Sequence, residues 1–347
     1  MWDVAIVGSG PAGASCAAFC AQAGLRTLVL ERARFPREKV CGDCLNPTAW
    51  PVLDRLGLVA EVRAAPHGKL SSVDFIDLHG RFISALLPRG EKAQISIKRS
   101  VLDQILLRRA RSLGAEIREG ETLLSLERGN SWRIRSDHSQ ETARVLVAAD
   151  GRNSTVARLC HLLPRKGPDR VALQTHIPLP SDFGERIVLQ LLPEGYSGQA
   201  PVGEGLLNLC LVSRPSEIAA IKRWAEKEFA IATDHPWRTI APLARAALPP
   251  AQAGLLLTGD AARVVEPFTG EGIYYALRSG ELAAAAIKSG DHRQYAEAHR
   301  RLYAGRLWIN ALARHAVEHP RLASRLLRLL PNEKGLLGFL TTKVVQP

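Results

Sequence analysis

Asp3-Val4-Ala5-Ile6-Val7-Gly8-Ser9-Gly10-Pro11-Ala12-Gly13 opens the chain as an apolar run that breaks into glycines. An Ala/Cys-rich helical stretch follows, and then Thr27-Leu28-Val29-Leu30-Glu31. The order is strand, tight turn, helix, second strand and terminal acid. Each piece has a part in binding a dinucleotide. Gly8 permits the sharp turn, Gly10 lets the backbone approach a pyrophosphate, and Gly13 lets the helix pack on the sheet. The helix start at Pro11-Ala12-Gly13 offers free N–H groups to phosphates. Glu31 is placed to accept hydrogen bonds from a ribose 2′-OH, with Arg32 beside it in the same binding set.

With 347 residues the chain can bury a large core and divides into two closely joined parts. Its 46% hydrophobic and 23% charged content is that of a folded, soluble protein. No stretch is long and apolar enough to span a bilayer. The first strand begins almost at the N-terminus, which argues against a cleavable signal peptide and for a cytoplasmic, at most membrane-peripheral, location. The net charge of +12 favours anionic partners: phosphate-bearing cofactors, anionic membrane surfaces or an acidic carrier protein. Nucleic acid is not expected, because the arginines are spread along the chain without interleaved aromatics.

Six cysteines are present, with no disulfide framework in their spacing. Cys16 and Cys20 fall on the first helix, and Cys160 and Cys210 lie in apolar surroundings, where buried thiols are expected. Cys41 and Cys44 form a CxxC. Two thiols cannot complete a structural zinc site, and no second pair follows, so no metal is expected.

Buried strands are predicted at Val4–Val7, Thr27–Leu30, Val145–Ala149 and Leu255–Thr258. Val73–Leu78 and Leu206–Val212 alternate like half-exposed antiparallel strands. A helix is predicted from Ser100 to Leu113, stopped by Gly114. After Gly272 the chain reads as helix almost to its end, punctuated by Gly290, Pro320 and Pro331.

Two further motifs narrow the cofactor. Ala149-Asp150-Gly151-Arg152-Asn153-Ser154 places an acid and a glycine at the C-terminal end of a parallel strand, where ligands bind in such sheets. Leu257-Thr258-Gly259-Asp260-Ala261-Ala262 ends another strand and leads into Pro267-Phe268-Thr269-Gly270-Glu271-Gly272-Ile273 at the start of a long helix. Asp260 can hold a ribitol hydroxyl. The glycine-rich helix start suits the electron-rich N1/O2 edge of a reduced flavin. FAD needs this second element, whereas NAD alone does not.

Together these residues resemble the FAD-dependent oxidoreductases of the p-hydroxybenzoate hydroxylase type of fold. The resemblance spans nearly the whole chain. It implies that Arg99, in Lys98-Arg99-Ser100-Val101-Leu102-Asp103, lies on the FAD side of the interface. It also places Asp260 in the ribityl–pyrophosphate region. The expected architecture is α/β. A doubly wound FAD-binding domain (1–63, 98–165 and 251–290) carries an inserted antiparallel-sheet substrate domain (64–97 and 166–250), followed by a C-terminal helical region (291–347).

Within that fold, Phe35-Pro36-Arg37-Glu38-Lys39-Val40-Cys41-Gly42-Asp43 looks most like the geranylgeranyl reductase group, which places a Lys-x-Cys-Gly loop near the flavin. Cys41 and Gly42 therefore join the cofactor-binding set. Gly195–Gly203 falls where that group has a strand lining the substrate face. The Tyr-x-Trp-x-Phe-Pro motif of the archaeal prenyl reductases has no counterpart there.

Cys41 is read as an active-site wall residue and candidate proton donor, with Cys44 structural. Tyr196 is a second candidate donor, or an aromatic packed in its strand. His176 reads as a satisfied histidine on an antiparallel strand. Glu271 reads as a helix cap. Arg34 and Arg37 face adenosine phosphates or are solvated loop charges. The basic, leucine-rich stretch Pro320–Leu330 suits a membrane-surface helix, or equally one packed on its own domain.

Three chemistries compete: reduction of a carbon–carbon double bond in a lipophilic isoprenoid or polyketide-like substrate, monooxygenation of an aromatic or quinone precursor, and halogenation. The halogenase pattern Trp-x-Trp-x-Ile-Pro is absent, and the Lys39–Gly42 loop favours the reductase. No second GxGxxG appears, so electrons come from NAD(P)H bound transiently or from a reduced carrier, such as an electron-donor protein.

Overall fold

The structure is a computed structural model and describes residues 1–163 and 170–329. Its first sheet is built on Trp2–Val7. Thr27–Glu31 lies parallel on one side and Gln140–Ala148 parallel on the other, with Val4 opposite both Thr27 and Val145. Glu116–Glu119 and Leu255–Leu257 extend it in parallel at either side, and Ala251–Gln252 closes one edge antiparallel.

Alternate residues of the central strands face opposite ways, which divides the core in two. Val4, Ile6 and Val29 pack against three helices: Pro11–Gln22, Arg99–Ser112 and Gly272–Ser289. Ala5, Val7, Leu28 and Leu30 meet Leu123, Trp132 and Ile134 instead. Those three belong to an antiparallel hairpin, Leu123–Arg128 and Trp132–Ser136, which pairs with the start of Gln140–Ala148. Central strands covered on both faces read as unbroken apolar runs, as Val4–Val7 does.

A second sheet has seven strands, in the order Arg238–Ile240, Val171–Pro178, Leu206–Ser213, Gly195–Gly203, Arg186–Leu192, Ser72–Ile76 and Phe82–Leu86. Neighbours are antiparallel except for Arg186–Leu192 against Ser72–Ile76, which run parallel. Leu207, Leu209 and Leu211 turn to one face, where Ile221 and Ala225 of helix Ile218–Glu228 cover them. Cys210 and Val212 turn to the other face, together with Leu191 and Tyr196.

A three-stranded sheet joins the two. It comprises Cys44–Leu45, Ile95–Ser96 and Gly68–Lys69. The hydroxyl of Ser96 donates to the Pro201 carbonyl of the large sheet. A Cβ on Gly68 would lie 1.8 Å from that same oxygen, so only glycine fits the contact.

The chain ends in helices His292–Ala304, Leu307–Glu318 and Pro320–Leu329. Gly290 ends the preceding helix in the left-handed region (φ 75°), as its position suggests, and Pro320 begins the last described one. Leu330, Pro331 and the remainder of 291–347 lie outside the described residues, as do 164–169 of the expected boundary region. The helix expected from Ser100 to Leu113 runs from Arg99 to Ser112, and Gly114 takes φ 101°.

Candidate active site

The glycine turn is held by its own backbone and by Glu31. Gly8 has φ 94°, and a Cβ there would stand 2.6 Å from the Ala149 carbonyl oxygen. A Cβ on Gly13 would come to 1.9 Å from the Gly8 oxygen. Gly10 differs. Beyond it there is open cavity, bounded only by guanidinium nitrogens of Arg37 and Arg99 at 3.7 and 3.8 Å. Helix Pro11–Gln22 begins there without a side-chain cap, so its first N–H groups, at Ala12 and Gly13, are left for another acceptor.

Glu31 does more than stand ready for a ribose. Its carboxylate accepts the Ser9 N–H at 2.8 Å, the Ser9 hydroxyl at 2.9 Å and the Ala33 N–H at 2.9 Å. A carboxylate has about four acceptor sites, so one lone pair remains for a sugar hydroxyl. Arg32 follows at the exposed rim of the same cavity.

Asp150 accepts the N–H groups of Thr155 (2.6 Å) and Val156 (3.1 Å) on one oxygen. Its other oxygen, Oδ1, is buried without a partner, and burial pushes the carboxyl above its ordinary range. Gly151 beside it takes φ 79°. Asp260 is held by Arg152 at 3.0 Å, so its carboxylate enters the cavity as half of an ion pair. Gly259 donates its N–H to Ser279 Oγ at 2.8 Å, which ties this strand end to helix Gly272–Ser289.

That helix presents the second free N-terminus. Pro267, Gly270, Gly272 and Ile273 line the cavity at its start. Glu271, expected to cap it, makes no cap bond. Instead its buried carboxylate takes the Tyr275 hydroxyl at 3.2 Å and the Arg306 guanidinium at 2.5 Å, leaving Oε2 without a partner. The two helices are brought together by Gly280, which sequence reading missed. A Cβ there would stand 2.3 Å from the Ala12 carbonyl oxygen. A lone glycine inside an otherwise Ala-rich helix was the available signal.

Besides Arg32 at the rim, four cations line the cavity: Arg37, Lys39, Arg99 and Arg152. Arg99 makes a bidentate pair with Asp103, both bonds 2.7 Å, and Arg37 reaches the same carboxylate at 3.1 Å. Asp103 is fully buried and neutralises part of this charge. Lys39 is relieved only by the charge of Asp260, the weakest of the influences on it. Burial, and then the charges of Arg99, Arg37 and Arg152, pull its ammonium down to about 8. Arg34 is exposed and lies outside the cavity lining.

Open backbone at Gly10, two uncapped helix starts and the cluster of cations fit a pyrophosphate, and the orphaned Asp150 oxygen fits a sugar hydroxyl of the same dinucleotide. The cavity holds about 980 Å³, at the large end of ligand sites.

Beyond Cys41 the lining turns apolar. Phe75, Leu189, Leu191, Val212, Leu243 and Ile309 supply much of it. Cys41 stands at the junction, half-buried, its thiol pushed up by burial against the opposing charge of Arg99. Burial also pushes Cys44 up, to about 12. All six cysteines are free. Gly42 is exposed beside Cys41.

The Cys41–Asp43 loop is fastened to the large sheet by side chains that the sequence pattern did not reveal. Asn208 Nδ2 donates to the Cys41 carbonyl at 2.9 Å, and the Cys210 thiol donates to the same oxygen at 3.1 Å. Gln174 Nε2 donates to Asn208 Oδ1 at 3.0 Å. His176 Nε2 meets Asp43 Oδ2 at 2.9 Å, and Asp43 holds φ 57°. Cys210 is thus a half-buried pocket residue with polar partners, and not a thiol buried in apolar surroundings as expected. His176 is satisfied as expected, but by an acid of the Cys41 loop. Tyr196 is buried, with its ring edge-on to Phe268 at 5.2 Å and 81°. Burial raises its phenol well above the usual range, so it stays protonated.

Comparison with known proteins agrees with this geometry. The family described as FAD binding domain matches residues 1–182. A menaquinone reductase of Mycolicibacterium smegmatis is 30% identical, over 94% of this chain and 84% of that protein. Digeranylgeranylglycerophospholipid reductase 1 of Methanopyrus kandleri is 29% identical, over 84% of this chain and 82% of that protein. Among solved structures, a geranylgeranyl bacteriochlorophyll reductase-like protein of Thermoplasma acidophilum superposes with TM-score 0.75 at 24% identity, covering 100% of this chain and 92% of that one. A myxobacterial chondrochloren halogenase reaches TM-score 0.75 at 23% identity, over 87% and 79% of the two chains. These two structural likenesses bear on the fold. The matched domain and the named menaquinone reductase place the chain in the FAD-binding-domain family, as an FAD-dependent oxidoreductase.

Proposed function

We propose that the protein reduces a carbon–carbon double bond of a lipophilic, isoprenoid- or polyketide-like substrate. The observation that carries this reading is that one cavity is lined by the glycines and cations of the first sheet and by apolar side chains of the second, with Cys41 beside Arg99 and fastened to the strand of Asn208 and Cys210. The names of the related reductases support reduction as the reaction type.

Bound reduced flavin supplies the hydride. The chain's own residues do the rest. Phe75, Leu189, Leu191 and Val212 hold an apolar substrate and exclude water. A raised thiol at Cys41 keeps its proton at neutral pH and can deliver it from Sγ to the second alkene carbon. Tyr196 carries the alternative proton at its phenolic oxygen. Asn208 and Cys210 fix the Cys41 backbone by its carbonyl. Hydride and proton together complete a saturated bond. NAD(P)H or a reduced carrier protein would supply the electrons for the next cycle, and the enzyme works in the cytoplasm.

Anaerobic turnover with a chemical donor against prenyl, polyketide and quinone panels tests this reading. A product two hydrogens heavier at a carbon–carbon bond supports it. Turnover confined to quinone carbonyls, with all alkenes untouched, counts against it.

A further inference from the structure

The last two described helices form the outer lip of the substrate cavity and expose large apolar side chains there. Leu312, on helix Leu307–Glu318, is 44% exposed, and Leu326, on helix Pro320–Leu329, is 54% exposed. Both also line the cavity, so they stand at its mouth. Trp308 lies one turn before Leu312 and is 50% exposed, while Leu322 lies one turn before Leu326 and is 47% exposed. The inward sides of both helices are already satisfied. Ile309, Ala313, Ala316 and Ala323 turn into the cavity, and Ser324 Oγ accepts the Leu78 N–H at 3.1 Å. This fixes the rotation of the last helix and leaves Leu322 and Leu326 exposed.

Charge says what these leucines meet. Arg321 and Arg325 flank Leu322 and Leu326 on the same exposed face, in a chain of net charge +12. Leucines and arginines interleaved on one helix face suit the headgroup boundary of an anionic bilayer. There the apolar tips enter the acyl region, and each guanidinium reaches the lipid phosphates. A second copy of this chain would set like charges face to face. An acidic carrier protein would satisfy the arginines but would leave Trp308 and Leu312, at the cavity mouth, without apolar partners.

We infer that helices Leu307–Glu318 and Pro320–Leu329 dock the enzyme on anionic membrane surfaces, with the cavity mouth against the bilayer, so that a lipophilic substrate passes from lipid to pocket without crossing water. This rests on the reading of the cavity as a lipophilic-substrate site.

The test is co-sedimentation of the FAD-loaded protein with phosphatidylcholine vesicles, with and without phosphatidylglycerol. Binding is expected with the anionic vesicles and is expected to weaken as salt rises. Two arginines at an anionic surface correspond to about a 25-fold change in affinity. The double variant Arg321→Gln/Arg325→Gln should lose binding by roughly that factor, and Leu322→Ser should weaken it further. None of these three residues lines the cavity. Reduction of a short, water-soluble alkene should therefore be unchanged in the variants, while reduction of a vesicle-embedded one falls. Equal sedimentation of wild type and variants, no sedimentation at all, or a wild-type dimer that Leu322→Ser dissolves would overturn the docking. Reduction of neither alkene, with vesicle binding intact, would instead overturn the reading of the reaction and leave the docking standing.

Discussion

Gly280→Ala sets two opposed effects against each other inside helix Gly272–Ser289. Alanine is the better helix former by about 1 kcal/mol at an interior position. Its Cβ, however, would lie 2.3 Å from the Ala12 oxygen and 2.9 Å from the Cys16 nitrogen. Both atoms are backbone of helix Pro11–Gln22, so no side chain can swing away, and the helices must part by about 1 Å to restore ordinary contact. Overpacking of this kind costs roughly 1–3 kcal/mol, which exceeds the propensity gain over most of its range. The displacement also falls on the two helices whose free N-termini face the cavity, so cofactor affinity should drop along with stability. Urea unfolding of the FAD-free protein should show a net loss of about 1 kcal/mol, the middle of the roughly 0–2 kcal/mol left by the two effects, and FAD retained through gel filtration should fall well below that of wild type. Gly305→Ala is the control. Its φ is −76° and no heavy atom lies within 4 Å of an added Cβ, so it should change stability by no more than about 0.5 kcal/mol. A Gly280→Ala protein as stable as wild type, with full FAD content, would refute the role given to this helix contact.

Asp103→Asn should destabilise the protein by about 3–5 kcal/mol in urea unfolding, because it strips the fully buried partner from Arg99 and Arg37. Lys39→Met should stabilise the FAD-free protein at pH 7. The folded lysine is held down to about 8 from 10.5, so its charge is a cost that is full below pH 8 and gone above 10.5. Thermal melts across that window should show the variant's advantage shrinking as pH rises. Cys41→Ala should lower alkene turnover by about 100-fold or more if Sγ delivers the proton, and unchanged turnover removes it from the mechanism.

How much of this was legible in the sequence depended on how far apart the interacting residues lie. Gly8, Gly10, Gly13 and Glu31 could be read because the strand, turn and helix they serve are consecutive, and their constraints are local. Asp150-Gly151 and Gly259-Asp260 could be read because each closes a recognisable apolar strand. The fastening of the Cys41 loop could not. His176 meets Asp43 across 133 positions, and Asn208 meets the Cys41 carbonyl across 167. Alternation in Leu206–Ser213 does put Asn208 and Cys210 on the face opposite the leucines. Only the tertiary structure shows that this face looks onto the cavity. The hairpin Leu123–Ser136 escaped notice because its charged outer positions break up the apolar signal, with Leu124 exposed beside buried Leu123. Glu31 and Asp260 show a further limit. Both line the cavity, yet each carboxylate also has a protein partner, Ser9 and Arg152 respectively, which motif spacing does not reveal.

The central claim is that reduced flavin in this cavity gives its electrons to an alkene. Stopped-flow measurement on the pre-reduced enzyme tests it most directly, with one syringe holding a prenyl or polyketide alkene under strict anaerobiosis and another holding oxygenated buffer. Return of the oxidised flavin absorbance with the alkene alone, with one saturated product formed per flavin, is the predicted result. Reoxidation that waits for O₂ and leaves an oxygen atom in the product would contradict the account and make the enzyme a monooxygenase.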